Sequence, residues 1–389
     1  MTDETPEQGT ERHRPPLRAF LRYFLGLGTW GFGGPIATVG YMQRDLVEDR
    51  NWLERQDFLD GVALGQTMPG PLAAQVSMWV GYLVSGAAGA LAVAGAFILP
   101  SFVFVLGVAV LYVHYEGLSV VQSIFYGVAP AVMAIIAIAA WKLARLTDGK
   151  DRRLWALTVV IGVVTAVTGA EIALLFVGAG LLMILLDAPP AFLRRSHAAF
   201  VPVPIPVLGA LGGWAASGGT QVALALFFAK AGAFIFGSGL AIVPFLREGV
   251  VHQHHWLSER QFLDAVAMGL ITPGPVVITA TFIGYLVGGL AGAGVATVAI
   301  FTPIYLGVVV PGRWFVRHRA NPQVKAFVKG ATAAAAGAIA GATVVLSRQA
   351  IKDVPTGVIA AVALGILLRF KVKEPYIVLG GAVAGLLLH

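Results

Sequence analysis

Two Pro-Gly-Pro triplets, Pro69-Gly70-Pro71 and Pro273-Gly274-Pro275, lie inside long apolar stretches with neutral hydrogen-bonding side chains beside them. Gln66, Thr67 and Gln75 flank the first; Thr272, Thr279 and Thr281 flank the second. A helix cannot run through such a triplet, because proline lacks the N–H donor and its ring clashes with the preceding turn. A helix that restarts at depth points unsatisfied N–H groups and a partial positive charge into the protein. An anion binds there without a full positive charge opposite it. Gly33-Gly34-Pro35 and Gly237-Ser238-Gly239 form a second pair of breaks, each upstream of a triplet. Taken together, the breaks point to a reversible oxyanion site built from half-helix starts and neutral donors, as in transporters with discontinuous helices. The competing readings are packing kinks for the breaks and interhelical hydrogen bonds for the small polar residues.

Few charged residues sit near these breaks. Lys230 lies in an apolar run one or two turns before Gly237, where an intramembrane cation is a functional candidate and snorkelling to an interface is the alternative. Asp60 and Asp264 precede the two triplets at matched positions and suit proton coupling or helix capping. Arg44 and Arg247, near Asp45, Asp49, Arg50, Trp52, Glu248 and Trp256, belong to mixed-charge stretches. They suit a surface helix with an aromatic anchor, or the gate of an anion vestibule. His252, His254 and His255 have metal-ligand spacing, but the matching positions hold Glu48, Arg50 and Asn51, which favours a solvated loop. No metal and no cofactor is expected.

The elements that must position these residues are repeated. From Trp52 and from Trp256, eleven of twenty positions are identical at an offset of 204, the triplets included. Gly81-Tyr82-Leu83-Val84 returns as Gly284-Tyr285-Leu286-Val287, with Pro100 as Pro303 and Gly127 as Gly330. The 389 residues are 57% hydrophobic and 12% charged, half the charged content of about 25% in soluble domains. Residues 61–113, 117–141, 198–229 and 265–312 carry no Asp, Glu, Lys, Arg or His. The first of these runs accommodates two helical crossings at ~20 residues each. The fold class is therefore an all-α polytopic membrane protein, since a barrel would show short alternating strands. Residues 1–16 read as a disordered cytoplasmic tail, 17–187 as the first repeat, 188–219 as a linker that crosses the membrane, and 220–389 as the second repeat. The chain has no cysteine, which excludes disulfides and thiolate metal sites.

Lys and Arg in short loops set the orientation. Arg12, Arg14, Arg18 and Arg22 place the N-terminus in the cytoplasm. The strongest basic loop follows the fourth segment in the first repeat (142–153) and the third in the second (313–329). Only opposed repeats put both inside, so the expectation is two inverted-topology repeats with broken helices, discontinuous or re-entrant. Counting each break as a crossing gives thirteen spans and a C-terminus outside.

Phe32-Gly33-Gly34-Pro35, the stretch from Arg44 through Trp52-Leu53, Phe58-Leu59-Asp60, Pro69-Gly70-Pro71 and Gly81-Tyr82 together resemble the chromate ion transporter (CHR) family. The similarity covers about residues 18–348, and long members of the family hold two homologous domains. The second repeat departs in its first motif, with Gly237-Ser238-Gly239 for Gly33-Gly34-Pro35. The resemblance implies export of chromate from the cytoplasm, driven by the proton-motive force, with sulfate as a look-alike. Proton coupling or anion exchange would supply the uphill step. An oxyanion channel is the second class, and a carrier of a different small anion is an alternative within the first. A membrane-embedded enzyme is the third class and is disfavoured, because the sequence has no H-E-x-x-H, no G-x-S-x-G and no cysteine. The partners expected are the oxyanion and the lipid of a cytoplasmic membrane, not nucleic acid. The Gly- and Ala-rich face at 330–342 would pack within the chain or across a homodimer.

Overall fold

The computed structural model describes residues 15–32, 34–115, 119–168, 173–189, 219–235, 239, 242–312, 314, 321–370 and 372–388. The expected tail up to residue 14, most of the linker, Gly33, Gly237 and Ser238 lie outside the described residues. Among the described residues every regular element is helical.

The first half opens with two helical hairpins. Helix α1 (Leu17–Trp30) buries Phe20, Phe24, Leu27 and Gly28, one stripe at helical spacing. Helix α2 (Gly34–Met42) continues as a π-helix, Gln43–Asp49, and runs back beside α1. Three contacts fix this return: the Thr38 hydroxyl donates to the Gly34 and Gly31 carbonyls, Tyr23 donates to Asp45 at 3.1 Å, and Phe20 packs edge-on to Trp52. Helix α3 (Arg55–Thr67) and the start of α4 (Leu72–Tyr115) form the second hairpin, with Pro69-Gly70-Pro71 at its tip. Trp79 closes the far end of that hairpin by donating its indole N–H to the Asp57 carbonyl at 2.9 Å.

Helix α4 also reverses. Ser85 and Gly86 leave the helical region, and Gly86 sits at φ 61°, a conformation that a Cβ disfavours. A Cβ on Gly81 would lie 2.9 Å from the Ala90 Cα, whereas nine residues of straight helix span about 13 Å. The chain is therefore two antiparallel limbs, α4a (72–84) and α4b (87–115). Helices α5 (Ser119–Asp148), α6 (Arg152–Thr168) and α7 (Ala173–Asp187) complete the half.

The second half repeats this order as α8 (Thr220–Ala233), α9 (Ile242–Arg247) with a π-helix at Glu248–Gln253, α10 (Glu259–Ile271) and α11 (Thr279–Val309). Gly288 and Gly289 reverse α11 with nearly the same angles as Ser85 and Gly86, giving limbs α11a (279–287) and α11b (290–309). Helices α12 (Pro322–Ala350), α13 (Val354–Arg369) and α14 (Glu374–Leu388) follow.

The halves exchange their last helices. Helix α12 packs on α6 and α7, α5 packs on α13 and α14, and α5 meets α12 at the centre. The small-residue face at 330–342 is used here, within the chain. A Cβ on Gly341 would stand 2.7 Å from Thr165 Cβ, and one on Gly337 3.1 Å from the Gly162 nitrogen. In a medium as apolar as leucine, such close backbone approach is what holds helices together. Among the described residues, four helical stretches are long and apolar enough to cross a membrane: Leu72–Tyr115, Ser119–Asp148, Val276–Val309 and Pro322–Ala350. Large apolar side chains such as Val159, Val163, Leu181 and Leu185 point outward, as lipid contact requires.

The close packing makes a quantitative expectation. Gly341→Val should destabilise the purified protein by about 1–3 kcal/mol, the usual cost of overpacking. Gly365→Val, where a Cβ meets nothing within 4 Å, should change the thermal midpoint little. Unfolding in detergent, followed by circular dichroism, separates the two.

Candidate functional site

The two Pro-Gly-Pro tips are buried and each is braced by the opposite half. Gly70 has φ 144° and Gly274 φ 128°, positions where a side chain would strain the backbone. The Gly70 N–H donates to the Ile235 carbonyl at 2.6 Å, next to the second glycine break. A Cβ on Gly70 would stand 2.9 Å from Ile304 Cγ2 in α11b. The second tip mirrors this: the Ser101 hydroxyl of α4b donates to the Pro273 carbonyl, and a Cβ on Gly274 would run into Ser101. Ser101 and Ile304 occupy the same position of their halves, at the offset of 203 that also relates Pro100 to Pro303. Gly239 sits between the tips, with its built Cβ 3.5 Å from Val276 Cβ and 3.8 Å from Pro71 Cβ. Thus both triplets and the second glycine break converge. Gly34, at φ 74°, stands instead near the Glu374 carboxylate of α14, 3.9 Å from its built Cβ.

The helix starts at these tips carry the N–H groups. The first N–H groups of α4a have no intrahelical acceptor, and the Gln75 N–H returns to the Pro71 carbonyl at 3.1 Å. At the second tip a 3-10 turn, Val276–Ile278, precedes α11a, and the Ile278 N–H bonds the Pro275 carbonyl.

The neutral side chains mostly serve the turns themselves. Gln75, fully buried, donates its amide to the Met68 and Pro69 carbonyls at 3.1 and 3.0 Å. Its Oε1 has no hydrogen-bond partner. Thr272 donates to the Gly269 carbonyl and Thr279 to the Val276 carbonyl, while Thr281 bonds Thr297 at 2.7 Å. Gln66 is exposed, and the Thr67 side chain lies outside the described residues.

The carboxylates correct the capping expectation. Asp60 and Asp264 lie inside α3 and α10, not at their starts; the cap of α10 is Ser258. Both are buried. Asp60 accepts from Gln56 at 2.7 Å, and Asp264 accepts from Tyr112 of the other half at 2.7 Å. Sequence reasoning missed Tyr112, Ser101, Ile235 and Glu374. A signal for Glu374 exists, because it repeats Glu171 at the 203 offset. Ser101 and Ile304 differ in type, so no identity links them.

The remaining charges stand at the hairpin mouths. Arg44 is exposed and pairs with Asp45 at 2.8 Å and Asp49 at 3.9 Å. Arg247 is buried and doubly bonded to Glu259. Lys230 is exposed, with its ammonium 5.8 Å from the Phe245 ring. A cavity of about 680 Å³ opens between α1 and the first π-helix. Among the described residues no cluster of three or more His, Asp or Glu stands in metal-binding geometry.

Helical hairpins with buried tips, repeated across two interlocked halves of apolar helices, define a two-repeat helical membrane protein. The chain belongs to the chromate transporter family, whose model matches it twice, over residues 18–184 and 222–386. A chromate transport protein of Cupriavidus metallidurans is 50% identical over 96% of this chain and 93% of its own length. A probable chromate transport protein of Synechococcus elongatus is 48% identical over 95% of each chain. A chromate transport protein of Pseudomonas aeruginosa is 29% identical over 89% of this chain and 85% of its own. No solved structure matches the chain. These relatives are transport proteins, not enzymes.

The bond between Ser101 and the Pro273 carbonyl joins the halves at depth. Ser101→Ala should cost about 1–3 kcal/mol, the penalty for a buried acceptor left without its donor. Thr302→Val removes a hydroxyl bonded only within its own exposed helical turn and should cost far less in the same detergent melt.

Proposed function

We propose that the protein is a secondary active transporter that exports chromate, or a sulfate-like oxyanion, across the cytoplasmic membrane. The observation that carries this reading is the convergence of both Pro-Gly-Pro tips with Gly239, each tip braced by a residue halfway along the long helix of the opposite half. Anion-binding groups are the N–H groups that begin α4a and the 3-10 turn Val276–Ile278, with Gly239 of the second glycine break between the two tips. Gln75, Thr272 and Thr279 hold these turns in shape. The names of the relatives supply chromate as the substrate.

The repeats are inverted in this reading, and the hairpins are re-entrant. Each hairpin doubles back on itself, as α3 and α4a do at the buried Pro69-Gly70-Pro71 tip, and so returns to the side it entered from. Each half then crosses the membrane through its four remaining helices, and the linker adds one crossing. The loops at 142–153, 313–329 and 369–373 all face the cytoplasm. The bond from Tyr112, near the end of α4b, to Asp264, near the start of α10, suits this arrangement, because opposed repeats bring those two ends to one side.

Rocking of one half against the other alternates access to the tips. The inside-negative potential favours dianion export by roughly 2.3 kcal/mol per charge per 100 mV. Asp60 and Asp264 are the candidate proton carriers.

Chromate and sulfate flux in proteoliposomes, with an imposed pH gradient and separately an imposed counter-anion, tests the reading. Saturable chromate movement that responds to one of these gradients is expected. Movement that follows potential alone would make the protein a channel, and no movement of either anion would remove the substrate. Gly70→Ala, which strains the backbone and clashes with Ile304, should lower the flux at least tenfold, a barrier change of about 1.4 kcal/mol, while the protein still inserts.

A further inference from the structure

The two hairpin mouths occupy matched positions and are chemically opposite. At the offset of 204, Tyr23 answers Phe227, Tyr41 answers Phe245, Asp45 answers Gly249, Arg50 answers His254 and Trp52 answers Trp256. In the second half these side chains close the mouth. Phe227 stacks on Phe245 with ring centres 5.6 Å apart and planes 17° off parallel. It also fills the space beside Gly249, where a side chain would have no room. His254 lies flat on Trp256 at 4.2 Å. Burial, with the Lys230 charge adding to it, pushes the His254 imidazole below its ordinary value.

In the first half the same positions surround the open cavity of about 680 Å³. The Arg50 guanidinium lies 4.8 Å from the Trp52 ring centre and 5.3 Å from that of Tyr23. Neither ring neutralises it, and no carboxylate among the described residues stands within ion-pair distance of Arg50. Arg44, by contrast, is committed to Asp45 and Asp49. A guanidinium held by its faces keeps its N–H edge for a ligand, and that edge matches two oxygens of a tetrahedral or carboxylate anion. Arg22 lines the same cavity.

We propose that the mouth of the first hairpin is an access site for a small oxyanion, which Arg50 captures with Arg22 beside it, and that the aromatic plug of the second hairpin is the closed gate at the other end of the same path. This rests on the transport reading above and adds to it the residue that captures the ion, the residues that shut the exit, and the state the structure represents. With the repeats inverted, the charged mouth faces the cytoplasm, where the exported ion is collected. The plugged mouth faces outward, with Lys230 as the cation beside its rings.

The absence of native cysteine allows a direct test that does not depend on flux. Gly26 lines the cavity, and a Cβ there meets nothing within 4 Å. In the purified Gly26→Cys protein, the labelling rates of an anionic sulfonatoethyl and a cationic trimethylammonium-ethyl methanethiosulfonate are compared. An anionic preference of about tenfold or more is expected, as for ions focused by a charged cleft. Arg50→Ala should reduce that preference severalfold, and Arg50→Lys should keep most of it. In proteoliposomes, Arg50→Ala should raise the KM for chromate more than it lowers the maximal rate. Equal labelling rates, or a preference unmoved by Arg50→Ala, would overturn the access site whatever the flux. A preserved preference in a protein that moves no anion would leave the site standing and sink the transport reading instead.

Discussion

A backbone that breaks inside a membrane must find partners for the N–H and C=O groups it releases, because lipid offers none. Here the partners come from the opposite half. The Gly70 N–H finds the Ile235 carbonyl, and the Pro273 carbonyl finds the Ser101 hydroxyl. Gln75 covers two further carbonyls within its own turn. Neither half can therefore present its break without the other, and the exchange of α5 and α12 between halves serves the same end by locking the two together.

This mutual bracing leaves the first N–H groups of α4a without an intrahelical acceptor, beside the unpartnered Gln75 Oε1. A protein that must release its ion gains from that economy. Dipolar N–H groups bind an anion reversibly, while buried cations would hold it too tightly. The formal charges lie elsewhere: Arg247 is neutralised by Glu259, and Arg50 stands at a mouth. Duplication supplied two similar hairpins, and at matched positions such as Arg50 and His254 one mouth surrounds a cavity while the other is filled by packed rings.

Much of this was legible in the sequence, for stated reasons. The triplets were visible because proline and glycine have few other uses inside an apolar run, and because they recur at one offset. The helical class followed from uninterrupted charge-free tracts. The reversal at Ser85-Gly86 was not legible, because the tract from 61 to 113 carries no charged residue to mark a turn. Its true signal is the glycine pair, Gly81 with Gly89, which permits backbone contact and leaves no mark in hydropathy. The capping expectation for Asp60 and Asp264 failed because both helices start several residues earlier, at Arg55 and Glu259. The donor roles expected of Gln75, Thr272 and Thr279 required knowing where each hydroxyl or amide points. In this structure they point to the turns. The exchange of the last helices left no periodic signal, since small residues pack against small residues on both sides.

The central claim is that the first Pro-Gly-Pro tip and the second glycine break meet across the halves and must part during transport. Their Cβ positions at Pro71 and Gly239 lie 3.8 Å apart, within the usual disulfide range. In the cysteine-free background, the double variant Pro71→Cys/Gly239→Cys should crosslink on mild oxidation, lose chromate flux, and recover it with reductant. Failure to crosslink, or flux undiminished in the crosslinked protein, would contradict the account.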